Sequence, residues 1–401
     1  MLEMSKKLRV LVLMHPDLIP PGERAGLSAA QMAEVKTERD VCDALASLGH
    51  TVLPLGVGQH LAPLREAIAH QAPDIAFNLL AEFQGVASRD QGVVSYLELM
   101  GVPYTGCNPR GLLLARDKGL AKQLLSHHDV RSPAFEVFPM GRKARPPRQL
   151  SYPVIVKSLA EEASLGLSQS SVVTNDEKFL ERVRFMHESI GTDAIAEEYV
   201  EGREITLSLL GDERLTTFPP WELDISGLPQ KAQRIATYKV KWDLDYQARH
   251  GVKLRRAEHI SEHLEAHIKA VSKRIYRALR LTGYGRIDFR LTADQKLYFL
   301  EANPNPDIAA DDDFALSAEG AGVDYQTLIQ KILNLGLRSG MRLRQAMFAT
   351  IAGVLFVAWA TVSSTWYAGA VWGFPLHAMM VGVCGTLVVL VAGLLSVVIQ
   401  R

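Results

Sequence analysis

Cysteine is scarce in this sequence, and neither sign of charge is in excess. Cys42, Cys107 and Cys384 are the three cysteines in 401 residues, and their scattered spacing excludes a disulfide framework and a paired-cysteine zinc site. A reducing compartment is the expected setting. Lysine plus arginine number 44, as do aspartate plus glutamate. No overall field therefore draws the chain to nucleic acid, and a small-molecule partner is expected instead. The apolar run at residues 8–14 is too brief for the core of a signal peptide and reads as a strand. Neither an internal repeat nor a low-complexity tract is visible.

The most pronounced absence is local. Residues 345–400 contain no Asp, Glu, Lys or Arg. Two segments within that tract, 346–363 and 376–399, approach the roughly 20 apolar residues that a membrane-crossing helix needs. Trp366, Tyr367 and Trp372 lie between them, where interfacial aromatics would sit. Lys331, Arg338, Arg342 and Arg344 precede the tract and Arg401 follows it. A buried hairpin normally keeps a polar stripe. The expectation is therefore a transmembrane helical hairpin at 345–400, with membrane contact through 346–399. The positive-inside rule would place it in the cytoplasmic (inner) membrane, the remainder facing the cytoplasm.

The rest of the chain is too long for one core. Residues 8–110 alternate apolar runs (8–14, 51–55, 74–79) with helical patterns such as 29–48. That alternation predicts an α/β fold with a doubly wound parallel sheet. Gly49 suits a left-handed helix end. A second unit starts after Pro133, with strands at 152–157 and 170–174 and a Pro-rich surface connection at 142–148. A third covers about 205–335, and its helix at 261–281 places Leu264, Ile268, Val271, Ile275 and Leu279 on one face. His259, His263 and His267 recur at a metal-compatible spacing but lie off that stripe, so a solvated face is expected. The predicted division is 1–130, 131–204, 205–340 and 345–400.

Residues 283–307 carry the clearest chemistry. Two β-prone runs flank a polar turn, and a turn symmetric about Asp294 and Gln295 sets Asp288 opposite Glu301, with Asn303 just beyond. Facing carboxylates repel, and a hard cation removes that penalty. Two acids and an amide, with coordination sites left for phosphate oxygens, suit Mg²⁺ bound to ATP. Arg286 shares the face of Asp288 and would hold the transferring phosphoryl group. No Gly-x-x-x-x-Gly-Lys-Ser/Thr is present, so a P-loop does not cradle the phosphates. A strand ending at Lys157 before a small-residue loop can take that role. Glu197, Val200 and Glu204 offer the hinge and acceptors that an adenine and a ribose require.

Six stretches then fall into a familiar order: Val-Pro-Tyr-Thr-Gly from Val102, Arg-Asp-Lys-Gly-Leu-Ala-Lys from Arg116, Pro-Val-Ile-Val-Lys from Pro153, Glu-Glu-Tyr-Val-Glu-Gly-Arg-Glu from Glu197, Gly-Arg-Ile-Asp from Gly285 and Leu-Glu-Ala-Asn from Leu300. Over residues 8–337 the chain resembles the ATP-grasp superfamily, and within it the D-alanine-D-alanine ligase branch. The resemblance implies an ATP-grasp fold and a carboxylate-amine ligase that works through an acyl phosphate. Its cofactors would be ATP and Mg²⁺, and its partners a small-molecule acyl donor and an amine acceptor, with a homodimer also admitted.

By the same resemblance Lys118 and Lys157 would contact phosphates, Ser164 would belong to the loop over them, and Glu197 and the backbone at Val200 would hold adenine. Tyr199 would form the adenine wall and Glu204 would bind ribose. Lys241 and Trp242 would lie on a closing loop, Lys241 with Arg286 acting catalytically. Asp288, Glu301 and Asn303 would be the magnesium ligands. Glu34 or Glu38, at the first helix, would approach the substrate's amino group.

Departures from that pattern bear on substrate. Glu82 replaces a glycine after Phe77-Asn78-Leu79-Leu80, and Asp307 and Asp311 to Asp313 stand where small and hydroxyl residues receive the acceptor's carboxylate. Acids there would repel a carboxylate. The alternative class, a non-catalytic membrane-anchored nucleotide sensor or scaffold, would not need the full set of acids and lysines.

Overall fold

The computed structural model describes residues 7–21, 29–161, 165–230, 232–366, 386 and 388–389. The chain divides into two compact units, Met1–Gly336 and Leu337–Arg401. Three sheets build the first.

The opening sheet is parallel, with β1 (Arg9–Met14) between β2 (Thr51–Gly56) and β3 (Ile75–Asn78). Val10 to Met14 are fully buried. Covered on both faces, such a strand is apolar throughout instead of alternating. The expected helix over 29–48 is two, Ala29–Glu34 and Lys36–Ser47, broken at Val35, whose φ and ψ of −99° and 18° are not helical. Gly49 adopts φ +85°, as its place after a helix requires.

The second sheet is antiparallel: β4 (Phe135–Phe138), β5 (Val154–Ser158), β6 (Val172–Val173) and β7 (Ala194–Glu198), in the order β4-β7-β5-β6. Period-two alternation sorts β5. Val154 and Val156 join Phe179 and Val183 of the helix Asp176–Phe185 in a core, while Ile155 and Lys157 take the other face.

The third sheet holds β8 (Arg203–Leu210), β9 (Thr216–Thr217), β10 (Trp221–Asp224), β11 (Lys253–Arg256), β12 (Tyr284–Leu291) and β13 (Leu297–Pro304). Its order is β11-β10-β8-β12-β13, with β9 pairing β8. The helix Glu262–Ala278 is capped by Ser261, which accepts from the Leu264 amide. Leu264, Ile268, Val271, Ile275 and Leu279 enter the core. His259, His263 and His267 are exposed.

The hairpin β12-β13 reaches the expected partner by an unexpected route. Its turn is a three-residue loop, 293–295, closed by Thr292 N–H to the Lys296 carbonyl, with Gln295 at φ +61°. The register runs Leu291↔Leu297 and Phe289↔Phe299, then shifts so that Asp288 pairs with Glu301. Leu300 is the extra residue of a bulge.

The membrane placement is corrected. Among the described residues no helix is long and apolar enough to cross a membrane. The first expected span, 346–363, is the far end of one continuous helix, Tyr325–Trp366. That helix begins amphipathically, with Leu328, Ile329, Ile332 and Leu333 buried and Lys331 exposed. The apolar stretch is thus not a separate element, and the inner-membrane, cytoplasm-facing localisation fails with it. Tyr367, Trp372 and most of 376–399 lie outside the described residues.

Ile268→Ala should destabilise the protein by about 2–5 kcal/mol, as cavity-forming core truncations do. His263→Ala on the opposite face should stay within about 0.5 kcal/mol of the parent. Urea denaturation compares the two, and similar losses at both positions would show that the helix does not bury that stripe.

Candidate active site

Residues of the second and third sheets line one cleft. Lys118, Lys157, Glu197, Tyr199, Val200, Glu204, Lys241, Asp288 and Glu301 all line it. Tyr199 and Val200 follow β7, Glu204 sits on β8, and Lys118 opens the helix Lys118–Ser126. Apolar walls come from Ile155, Leu167, Ala236 and Leu300. These went unpredicted, although Ile155 is visible once Lys157 is assigned, being two residues away on the same strand face. Trp242 is half exposed and does not line the cleft, though it neighbours Lys241 on the short helix Tyr238–Trp242. Ser164 lies outside the described residues.

Buried charges in the cleft are paired. Lys157 Nζ is 3.0 Å from Glu197 Oε1, and Lys122 Nζ approaches the same oxygen at 3.5 Å from behind. Burial pushes the Glu197 carboxyl up, but the two lysines outweigh it and hold it below the usual carboxylate range. Lys118 Nζ donates to the Glu161 carbonyl at 2.7 Å and lies 3.6 Å from Glu301 Oε2. Burial also pushes Glu301 up, yet Lys118, Lys157, Lys241 and Arg286 hold it at about 2. Arg290 ion-pairs with Glu204 at 3.2 Å and donates to the carbonyls of Gly202 and Arg234, fixing the rim.

At the hairpin, Arg286 grips Asp288 with a fork, Nε to Oδ1 at 2.8 Å and a terminal nitrogen to Oδ2 at 2.9 Å. Its other terminal nitrogen reaches Asp313 at 3.2 Å. Asn303 Nδ2 donates to Asp288 Oδ2 at 3.0 Å, which leaves its own Oδ1 as an acceptor. Burial raises the Asp288 carboxyl despite Arg286. Two opposed carboxylates and an amide oxygen on one buried face are hard donors, and the set fits a magnesium ion held by Asp288, Glu301 and Asn303. Among the described residues no cluster of three His, Cys, Asp or Glu offers a rival site.

The remaining expected residues gather elsewhere. Glu38 is buried, and burial, with Asp307 adding repulsion, pushes its carboxyl up to about 7. Thr37 Oγ1 donates to Asp307 Oδ1 at 2.7 Å, and Ala310 N–H donates to Asp40. Asp312 caps the helix Asp313–Glu319 and is pushed up to about 7 by burial, Asp313 and Asp307. Glu38, Asp307 and Asp312 therefore share one acidic end, which Asp313 connects to Arg286. Asp311 instead turns outward to Lys36. Glu82 lies apart, 3.8 Å from His15.

A cleft between two antiparallel sheets, with the strand lysine Lys157 and the helix-start lysine Lys118 near opposed carboxylates, is the arrangement of an ATP-using ligase of the ATP-grasp type. The family described as "D-ala D-ala ligase C-terminus" matches residues 124–334. An uncharacterized protein, y4sG, from Sinorhizobium fredii is 30% identical over 264 residues, covering 66% of this chain and 75% of that one. The D-alanine-D-alanine ligase of Aquifex aeolicus is 27% identical over 326 residues, covering 81% and 100%. In fold, the chain is similar to D-alanine-D-alanine ligase from Bacillus anthracis, solved in complex with ATP. The TM-score is 0.63 at 20% identity, over 83% of this chain and 98% of that one. The chain belongs to the D-alanine-D-alanine ligase C-terminal family, and it is an ATP- and magnesium-dependent ligase that forms carbon-nitrogen bonds.

Arg286→Met strands Asp288 and Asp313 as buried charges and should cost about 3–5 kcal/mol near neutral pH. A carboxyl whose folded pKa stands above its unfolded value binds protons more tightly when folded, so stability returns as pH falls. Denaturation at neutral and mildly acidic pH should show the deficit shrinking on acidification. A pH-independent deficit would mean that the arginine does not neutralise those carboxylates.

Proposed function

We propose that the chain phosphorylates a carboxylate with ATP and passes the acyl group to an amine. The γ-phosphoryl group moves to a carboxylate oxygen, giving an acyl phosphate and ADP. The amine nitrogen then attacks the carbonyl carbon, phosphate leaves, and the nitrogen loses a proton to give the amide. In this reading residues 1–130, 131–204 and 205–340 act as three subdomains around the cleft. The observation that carries it is the joint presence, in one cleft, of the opposed Asp288 and Glu301 and the Lys157-Glu197 pair.

Glu197, Val200, Glu204 and the wall at Tyr199 hold the nucleoside, and Lys118 and Lys157 neutralise its phosphates. When bound, magnesium supplies charge for the transferring phosphoryl group. Arg286 is fixed by two aspartates beside that position and stabilises the charge that develops there. Lys241 approaches from the segment 238–242, which with Trp242 closes over the phosphates.

The acidic end supports a particular acceptor class. Glu38, Asp307 and Asp312 would face the acceptor, and the cations paired nearby are already committed among the described residues, Arg286 to Asp288 and Asp313 and Lys36 to Asp311. A free carboxylate on the acceptor would meet like charge, whereas a second positive charge would be welcomed. The amine is therefore cationic or lacks a carboxylate there, and joining two D-alanines is not the reaction.

With the full chain and panels of carboxylates and amines, ADP release should require both substrates, and mass spectrometry should detect an amide. ADP release indifferent to every amine would overturn the ligase reading. Asp288→Asn should lower kcat/KM by about 10²- to 10³-fold, the scale of losing one preorganised electrostatic contact. Asp307→Asn and Asp312→Asn should each shift preference toward carboxylate-bearing amines by about tenfold, equivalent to about 1.4 kcal/mol. Unchanged preference would remove the basis for a cationic acceptor while leaving the ligase reading intact.

A further inference from the structure

Lys122 is a fully buried charged side chain with no role so far. It lies four residues after Lys118 on the same helix, so the two lysines leave one helix face toward β13. Lys118 enters the cleft, and Lys122 passes behind it. Its ammonium donates to the Leu300 carbonyl at 2.8 Å and the Phe299 carbonyl at 3.2 Å. It also lies 3.5 Å from Glu197 Oε1 and 5.1 Å from the centre of the Phe299 ring. Two of its three N–H donors are taken by these carbonyls, and the Glu197 carboxylate balances its charge at ion-pair distance.

The two carbonyls are consecutive. In a regular strand consecutive carbonyls point to opposite edges, so one ammonium can take both only where pairing is interrupted. The register shifts at this point, Phe289 facing Phe299 and Asp288 facing Glu301, with Leu300 left over. Had the register set by the turn continued, Asp288 would face Leu300 and Glu301 would face Ile287. Ile287 points into the apolar core, and side chains directly opposite one another share a face, so Glu301 would be turned out of the cleft.

We infer that Lys122 is a positioning residue: by bonding both carbonyls of the Leu300 bulge it holds Glu301 on the same face as Asp288, and by facing Glu197 it ties that bulge to the nucleoside side of the cleft. This rests on the reading of Glu301 as a magnesium ligand, which the Asp288→Asn experiment tests separately. Lys118, Lys157 and Lys241 supply charge toward the cleft, whereas Lys122 acts through backbone and has no contact with the reacting groups.

The test compares Lys122→Met and Lys122→Gln with Leu64→Ala, a core truncation in the first sheet's cluster that lowers stability without touching the site. In ligand-free protein, amide exchange at residues 299–302 should be at least about tenfold faster in both lysine variants and unchanged in Leu64→Ala. The Mg²⁺ concentration for half-maximal activity should rise about tenfold or more in Lys122→Met, the usual scale for losing a group that orients a metal ligand. It should rise less in Lys122→Gln, which keeps a donor. If Lys122→Met does not fold, Lys122→Gln carries the comparison. Exchange at 299–302 and Mg²⁺ dependence within twofold of the parent in whichever lysine variants fold, or changes equal to those of Leu64→Ala, would overturn the assignment.

Discussion

Two carboxylates face each other across a strand pair, and the surrounding fold answers that repulsion. Asp288, which is buried, and Glu301, which is partly buried, sit opposite one another, an arrangement that is unfavourable unless cations meet it. They are met from several directions: Arg286 from the same strand, Asn303 from the next, and Lys118 from a helix at the cleft's edge. Each comes from a different element, so the pair constrains how the two later sheets and the preceding helix pack. A divalent ion would be held by these acids and would relieve their repulsion.

Charge pairing also connects the halves of the cleft. Glu197 on β7 lies between Lys157 on β5 and Lys122 on the helix Lys118–Ser126, and Lys122 in turn holds the bulge of β13. In the proposed reading the nucleotide side and the metal side of the cleft are thereby tied through a few buried contacts. Preorganisation of this kind is where phosphoryl transfer obtains most of its acceleration.

Beyond the metal face the balance reverses. Cations dominate around Glu301, while Glu38, Asp307 and Asp312 dominate the other end, with Arg286 committed to acids on both sides. A substrate lying across the two regions experiences a field that changes sign along its length. That gradient suits phosphate at one end and a positively charged or carboxylate-free amine at the other.

Local pattern was enough for much of this. Apolar runs and their alternation determined the strands of the first sheet, period-3.6 spacing determined the buried stripe of Glu262–Ala278, and short motifs drew Lys157, Glu197, Asp288 and Glu301 into one proposal, because each depends on neighbours a few residues away. What tertiary structure decided was how distant pieces meet. The turn at 293–295 and the bulge at Leu300 each displaced the expected register, and their offsets cancelled. Lys122 could be recognised only once its ammonium met Glu197 and the β13 carbonyls. The apolar tract misled because composition reports hydrophobicity but not continuity: residues 346–363 extend a helix that begins with a buried amphipathic turn. Periodicity fixes which face a residue occupies, and only the packed fold fixes what that face meets.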